Sequence, residues 1–135
     1  MSSFLIVAVV LVVAIGFGFW DKKRTGKIKE VIDSQNLILS KDIGSELGID
    51  ATVLQFSSAF CTPCRTTRST LISVISHYPK IKHVEVDAES NLDLVRRLDI
   101  RQTPTTLFLN PSGREIARAV GAPKREQVLD ALERI

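Results

Sequence analysis

At 135 residues the chain has room for one globular domain and an appendage, and its charge is unevenly placed: residues 1–30 hold five Lys/Arg and two Asp/Glu, whereas residues 31–135 hold thirteen of each. The net charge of +3 therefore belongs to the N-terminal segment, and the formally neutral remainder gives no support for nucleic-acid binding. With only two cysteines, three positions apart, no disulfide framework staples the fold, and a core drawn from about 100 residues must hold it alone.

From Phe4 to Trp20 run seventeen uninterrupted apolar or glycine residues. As a helix they extend roughly 25 Å, at the short end of what spans a bilayer. The run has no polar face, a basic stretch before it is missing, and no small-x-small cleavage site precedes Asp21. Residues 1–20 are thus expected to be a single-pass transmembrane anchor. Lys22, Lys23, Arg24, Lys27 and Lys29 follow it closely, so the positive-inside rule places what comes after in the cytoplasm, with the extracytoplasmic side as the alternative. Residues 21–36 read as a basic juxtamembrane linker with a helical turn around Ile28, Val31 and Ile32, able to touch anionic headgroups.

From Leu37 the element types alternate. Leu37–Leu39 is a short apolar run that stands as the first strand of the order βαβαβαββα, Lys41–Leu47 a brief helix that Gly48 can end, and Ala51–Ser57 a strand. A helix follows with Leu71, Ile72, Val74 and Ile75 as its apolar stripe, stopped by Tyr78-Pro79. Ile81–Val86 reads as a strand, and Asn91–Leu98 as a helix with Leu92, Val95 and Leu98 inward. Strand, helix and strand in succession imply parallel pairing. Thr105–Leu109 then reaches the turn Asn110-Pro111-Ser112-Gly113, so that Glu115–Val120 pairs back antiparallel, and Lys124–Ile135 closes as an amphipathic helix.

The chemistry concentrates where the strand Ala51–Ser57 ends and delivers Cys61-Thr62-Pro63-Cys64 to the start of a helix. Unpaired backbone N–H groups and the positive end of the helix dipole favour a thiolate there, so Cys61 is expected to ionise below the free-thiol value of about 8.5. Pro63 suits a first helical turn, where its missing N–H is not needed. Cys64 follows one turn on, a spacing that suits a disulfide able to open and close, and Arg65 and Arg68 add positive charge. Two other readings compete. Cys61, Cys64, His77 and His83 satisfy Cys2His2 zinc-finger spacing, although Tyr78-Pro79 separates the two histidines into different elements, and the pair could also be inert.

With Phe60-Cys61-Thr62-Pro63-Cys64-Arg65 opening a helix, Val84-Glu85-Val86-Asp87 on a strand, Thr103-Pro104-Thr105 before another, Gly113 in a hairpin and Val120-Gly121-Ala122 before the last helix, residues 37–135 resemble thioredoxin, as a membrane-anchored bacterial thioredoxin-like protein. The resemblance implies an α/β thioredoxin fold, a central mixed β-sheet flanked by helices and here preceded by a transmembrane helix. It further implies a thiol–disulfide oxidoreductase in which Cys61 attacks a substrate disulfide and Cys64 resolves the mixed disulfide. Pro104 would carry a cis peptide after Thr103 and face the cysteines, leaving the Thr103 backbone to pair with an extended substrate. Protein disulfide or dithiol substrates, a separate recycling partner, a monomeric state and no cofactor or metal belong to the same expectation.

This chain departs from the family pattern at three places. Phe60 stands where Trp is usual, Thr62 where Gly is usual, and Gln55 where an Asp commonly relays the proton of the second cysteine. An amide cannot titrate. His83 occupies the position of a Lys usually found beside that Asp, and is the candidate for the relay, against a histidine merely hydrogen-bonded near a strand edge. A scaffold without redox turnover, or one holding zinc through the cysteines, is the competing function.

Overall fold

The computed structural model describes residues 1–24, 28–30 and 37–135. Ten elements follow one another: α1 (Ser2–Arg24), β1 (Ile28–Glu30), α2 (Ser40–Ile43), β2 (Ala51–Ser57), α3 (Thr62–Ile75), β3 (Ile81–Asp87), α4 (Leu92–Arg97), β4 (Thr105–Leu109), β5 (Glu115–Val120) and α5 (Arg125–Glu133).

The strands form one sheet in the order β1-β5-β4-β2-β3. β2 and β3 are parallel, from Ala51 opposite Ile81 to Ser57 opposite Asp87, as a helical crossover requires. β2 with β4, β4 with β5 and β1 with β5 run antiparallel. Every residue of β2 and β4 is buried, so apart from Gln55 and Ser57 these central strands read as apolar or β-branched runs rather than as alternation. The core lies on both faces of the sheet. Leu54, Phe56, Val84, Val86, Leu107 and Leu109 meet Leu94 and Leu98 on one side, and Val53, Phe108, Ala117 and Ala119 meet Leu71, Val74, Val128 and Ala131 on the other.

Leu37–Leu39 is not a strand: Ile38 is fully buried and its N–H donates to the Gly113 carbonyl (3.0 Å), but the segment pairs with no strand among the described residues, and the additional strand of the sheet is β1. The helical turn at Ile28 is therefore a strand instead, while Val31, Ile32 and most of the linker lie outside the described residues. α4 turns Leu94 inward, with Val95 packed partly buried against the core and Leu98 buried just past its end, whereas Leu92 faces solvent, and α3 presents Cys64, Thr67, Leu71 and Val74 to the sheet, leaving Ile72 exposed.

α1 forms over the expected residues, with Phe4, Val9, Val13 and Phe17 exposed, yet among the described residues no helix is long and apolar enough to cross a membrane.

Candidate active site

β2 ends at Ser57, and the short link Ser58-Ala59-Phe60 turns the chain into α3. Phe60 makes that turn in the left-handed region (φ 58°) with its ring almost wholly exposed. Cys61 is the N-cap: its extended backbone (φ −101°, ψ 101°) leaves the helix, and its sulfur accepts the N–H of Cys64 at 3.2 Å. One of the orphan donors of the helix end is thus spent on sulfur, which is how a helix N-terminus stabilises a thiolate. Pro63 occupies the first turn, as its missing donor suggests.

Cys61 and Cys64 are joined as a disulfide, with Cα atoms 5.2 Å apart. The two sulfurs differ in access. Cys64 is 1% exposed beneath the helix, whereas Cys61 is half-buried at its tip, flanked by exposed Phe60, Thr62 and Pro63. The zinc arrangement does not assemble: His77 is exposed after the end of α3, His83 lies on β3, and among the described residues no three His, Cys, Asp or Glu side chains cluster as metal ligands.

The Thr103-Pro104 peptide is cis. Its loop is tied to the active-site loop by a hydrogen bond between the Ser58 and Thr103 hydroxyls (2.9 Å), and to the end of β5 by the Gly121 N–H on the Pro104 carbonyl (2.9 Å). Thr103 thereby stands beside the segment leading to Cys61. A profile of the family described as Thioredoxin matches residues 40–134. The chain belongs to the thioredoxin family.

Relatives agree with that placement. Thioredoxin H5 of Oryza sativa subsp. japonica is 34% identical over 71% of this chain and 70% of its own length. Thioredoxin NaTrxh from Nicotiana alata superposes with a TM-score of 0.57 at 26% identity, covering 64% of this chain and 74% of that one. Mitochondrial thioredoxin 3 of Saccharomyces cerevisiae in its oxidized form, at 22% identity and a TM-score of 0.56 over 64% of this chain and 79% of that one, shares the fold. These relatives are eukaryotic, so the bacterial, membrane-anchored form of the resemblance finds no support. As a thioredoxin-family chain with its CxxC pair present, the protein is a thiol–disulfide oxidoreductase.

Beneath the disulfide of this thioredoxin lies a polar network. Gln55, fully buried on β2, donates through Nε2 to the Cys64 carbonyl (2.9 Å) and to the Ser57 hydroxyl (3.1 Å), while its Oε1 lies 3.0 Å from His83 Nε2. His83 and Gln55 are therefore brought together with Cys64, but the bond of His83 goes to the amide and not to sulfur. Burial holds the imidazole below its ordinary value of 6.5; Glu85 pulls it upward and Arg68 pushes it further down. Arg68 forms a two-pronged salt bridge with Glu85, so the positive charge expected from it near Cys61 is shared with a carboxylate. Its own pKa is raised by that pairing.

Ser57 and Ser58 are the site residues that sequence reasoning passed over. The only available signal was a hydroxyl pair at the end of a strand, and the Ser58 contact spans 45 positions. A cleft lined among others by Asp42, Asn91, Arg96 and Arg97 shares no residue with the disulfide.

Proposed function

We propose that the chain exchanges disulfides with protein substrates, with Cys61 as attacking and Cys64 as resolving thiol. The unequal access of the two sulfurs carries this reading: only Cys61 is within reach of an incoming protein. In the reducing direction the Cys61 thiolate attacks one substrate sulfur, the substrate S–S bond breaks, and the departing substrate thiolate takes up a proton. Cys64, having given its proton to solvent, then attacks the Cys61 sulfur, breaks the mixed disulfide and releases the second substrate thiol. Two electrons have moved to the substrate, and the product is the Cys61–Cys64 bridge seen here. A separate dithiol partner must reduce that bridge before the next turnover. Exposed Phe60 and Thr62 and the Thr103-Pro104 loop form the docking rim, where an extended substrate segment pairs with the Thr103 backbone.

Dithiol-driven reduction of a model protein disulfide tests this. Cys61→Ser should abolish it without trapping substrate, and Cys64→Ser should abolish multiple turnover while accumulating a mixed disulfide at Cys61. Equal trapping by both variants overturns the assignment of roles.

We further propose that α1 holds the domain at a membrane, with the domain on the cytoplasmic face. Its exposed apolar side chains and the basic cluster just after them support this. Flotation of the full chain with liposomes, compared with a chain lacking residues 1–20, tests the tether, and an impermeant thiol reagent applied to intact cells reports the side.

A further inference from the structure

One backbone carbonyl fixes every proton in the network under the disulfide. The Cys64 carbonyl can only accept, so the Gln55 atom 2.9 Å away must be its amide nitrogen. The second N–H of that amide goes to Ser57 Oγ at 3.1 Å. Gln55 Oε1 is then left facing His83 Nε2 at 3.0 Å, and because the amide oxygen cannot donate, His83 must. Thr106, directly across the sheet from Gln55, does not compete: its buried hydroxyl bonds to nothing among the described residues. The neutral imidazole is therefore the Nε2–H tautomer. A second proton would go to Nδ1 and leave the bond to Gln55 intact.

A general base for Cys64 would need a lone pair at the nitrogen nearest the network, and that nitrogen already carries a proton pointing at Gln55. We infer that His83 is a positioning residue for the resolving cysteine: by donating to Gln55 it locks the amide that grips the Cys64 carbonyl, and with it the first turn of α3 from which Cys64 must reach Cys61. This inference rests on the oxidoreductase reading. The charged groups facing His83 are Glu85 on its own strand and Arg68 from α3, and they are paired with each other, so neither takes the place of the Gln55 contact.

The test is a stopped-flow reaction of the reduced full chain with an aromatic disulfide such as dithionitrobenzoate, in which a first burst of aryl thiolate reports attack by Cys61 and a second reports resolution by Cys64. His83→Leu, which removes the donor, should slow the second phase about tenfold, the scale of one lost positioning hydrogen bond, and leave the first within about twofold. His83→Gln, whose terminal amide can place an N–H where Nε2–H stood, should restore the second phase, with a pH profile parallel to that of the unaltered chain through the range where imidazole titrates. A second phase unchanged in His83→Leu overturns the inference, as does His83→Gln as slow as His83→Leu, which would mean that a titrating group is needed. Both phases slowed alike in His83→Leu would also overturn it, by showing general damage to the site. Absence of a second phase in the unaltered chain would instead bring down the oxidoreductase reading on which the inference stands.

Discussion

Gln55 and His83 exchange one kind of chemistry for another at the spot where the family commonly buries an acid. A carboxylic acid there can take a proton; an amide can only hold atoms in place, and here it spends both donors and its acceptor doing so. Burial of the His83 ring makes folding favour the neutral imidazole. Because burial lowers the His83 pKa relative to the unfolded chain, His83 contributes stability that is fully present above its unfolded value near 6.5 and is lost as pH falls through its lower folded value. Urea midpoints should accordingly fall between pH 7.5 and pH 5, and His83→Gln should flatten that decline; a variant whose midpoints fall as steeply as those of the unaltered chain would remove His83 from the account.

Among the elements, the β4–β5 hairpin shows how a turn can seat a segment distant in sequence. Gly113 adopts φ +87°, and a Cβ added there would lie 2.0 Å from the Ile38 carbonyl oxygen, whose residue is fully buried against the sheet. The Gly113 carbonyl in turn accepts the Ile38 N–H. Gly113→Ala thus combines an unfavourable backbone conformation with a contact to main chain that cannot swing aside. The loss expected is about 2 kcal/mol or more, or roughly 10 °C in Tm for a domain of this size, measured by thermal unfolding. An unchanged Tm would show that the Leu37–Leu39 segment does not seat there. That segment reads as a strand in isolation because three aliphatic residues fit a strand's pattern, and nothing local distinguishes a strand from an extended chain plugged into the core beside a turn. β1, only three residues long, carried even less signal, since its pairing is supplied wholly by β5.

Across the whole molecule, the redox domain and the N-terminal helix follow different physics. Among the described residues α1 exposes its apolar side chains and contributes none to either core cluster, so the chain lacking residues 1–20 should keep its Tm and both phases of the aryl-disulfide reaction while losing flotation with liposomes; loss of the second phase on truncation would show that α1 supports the site after all. Apolar run length, strand and helix periodicity and the helix-opening Cys61-Thr62-Pro63-Cys64 are local, and local patterns were enough to reveal the alternation of elements, the parallel crossover, the hairpin and the reactive pair. Which cysteine is accessible, which face of α4 points inward, that Arg68 is bound to Glu85, and that the proton of His83 points at Gln55 depend on groups 3 to 45 positions apart meeting at particular distances. Those meetings are set by sheet register and helix rotation, quantities to which every residue of the core contributes and which no single stretch of sequence contains.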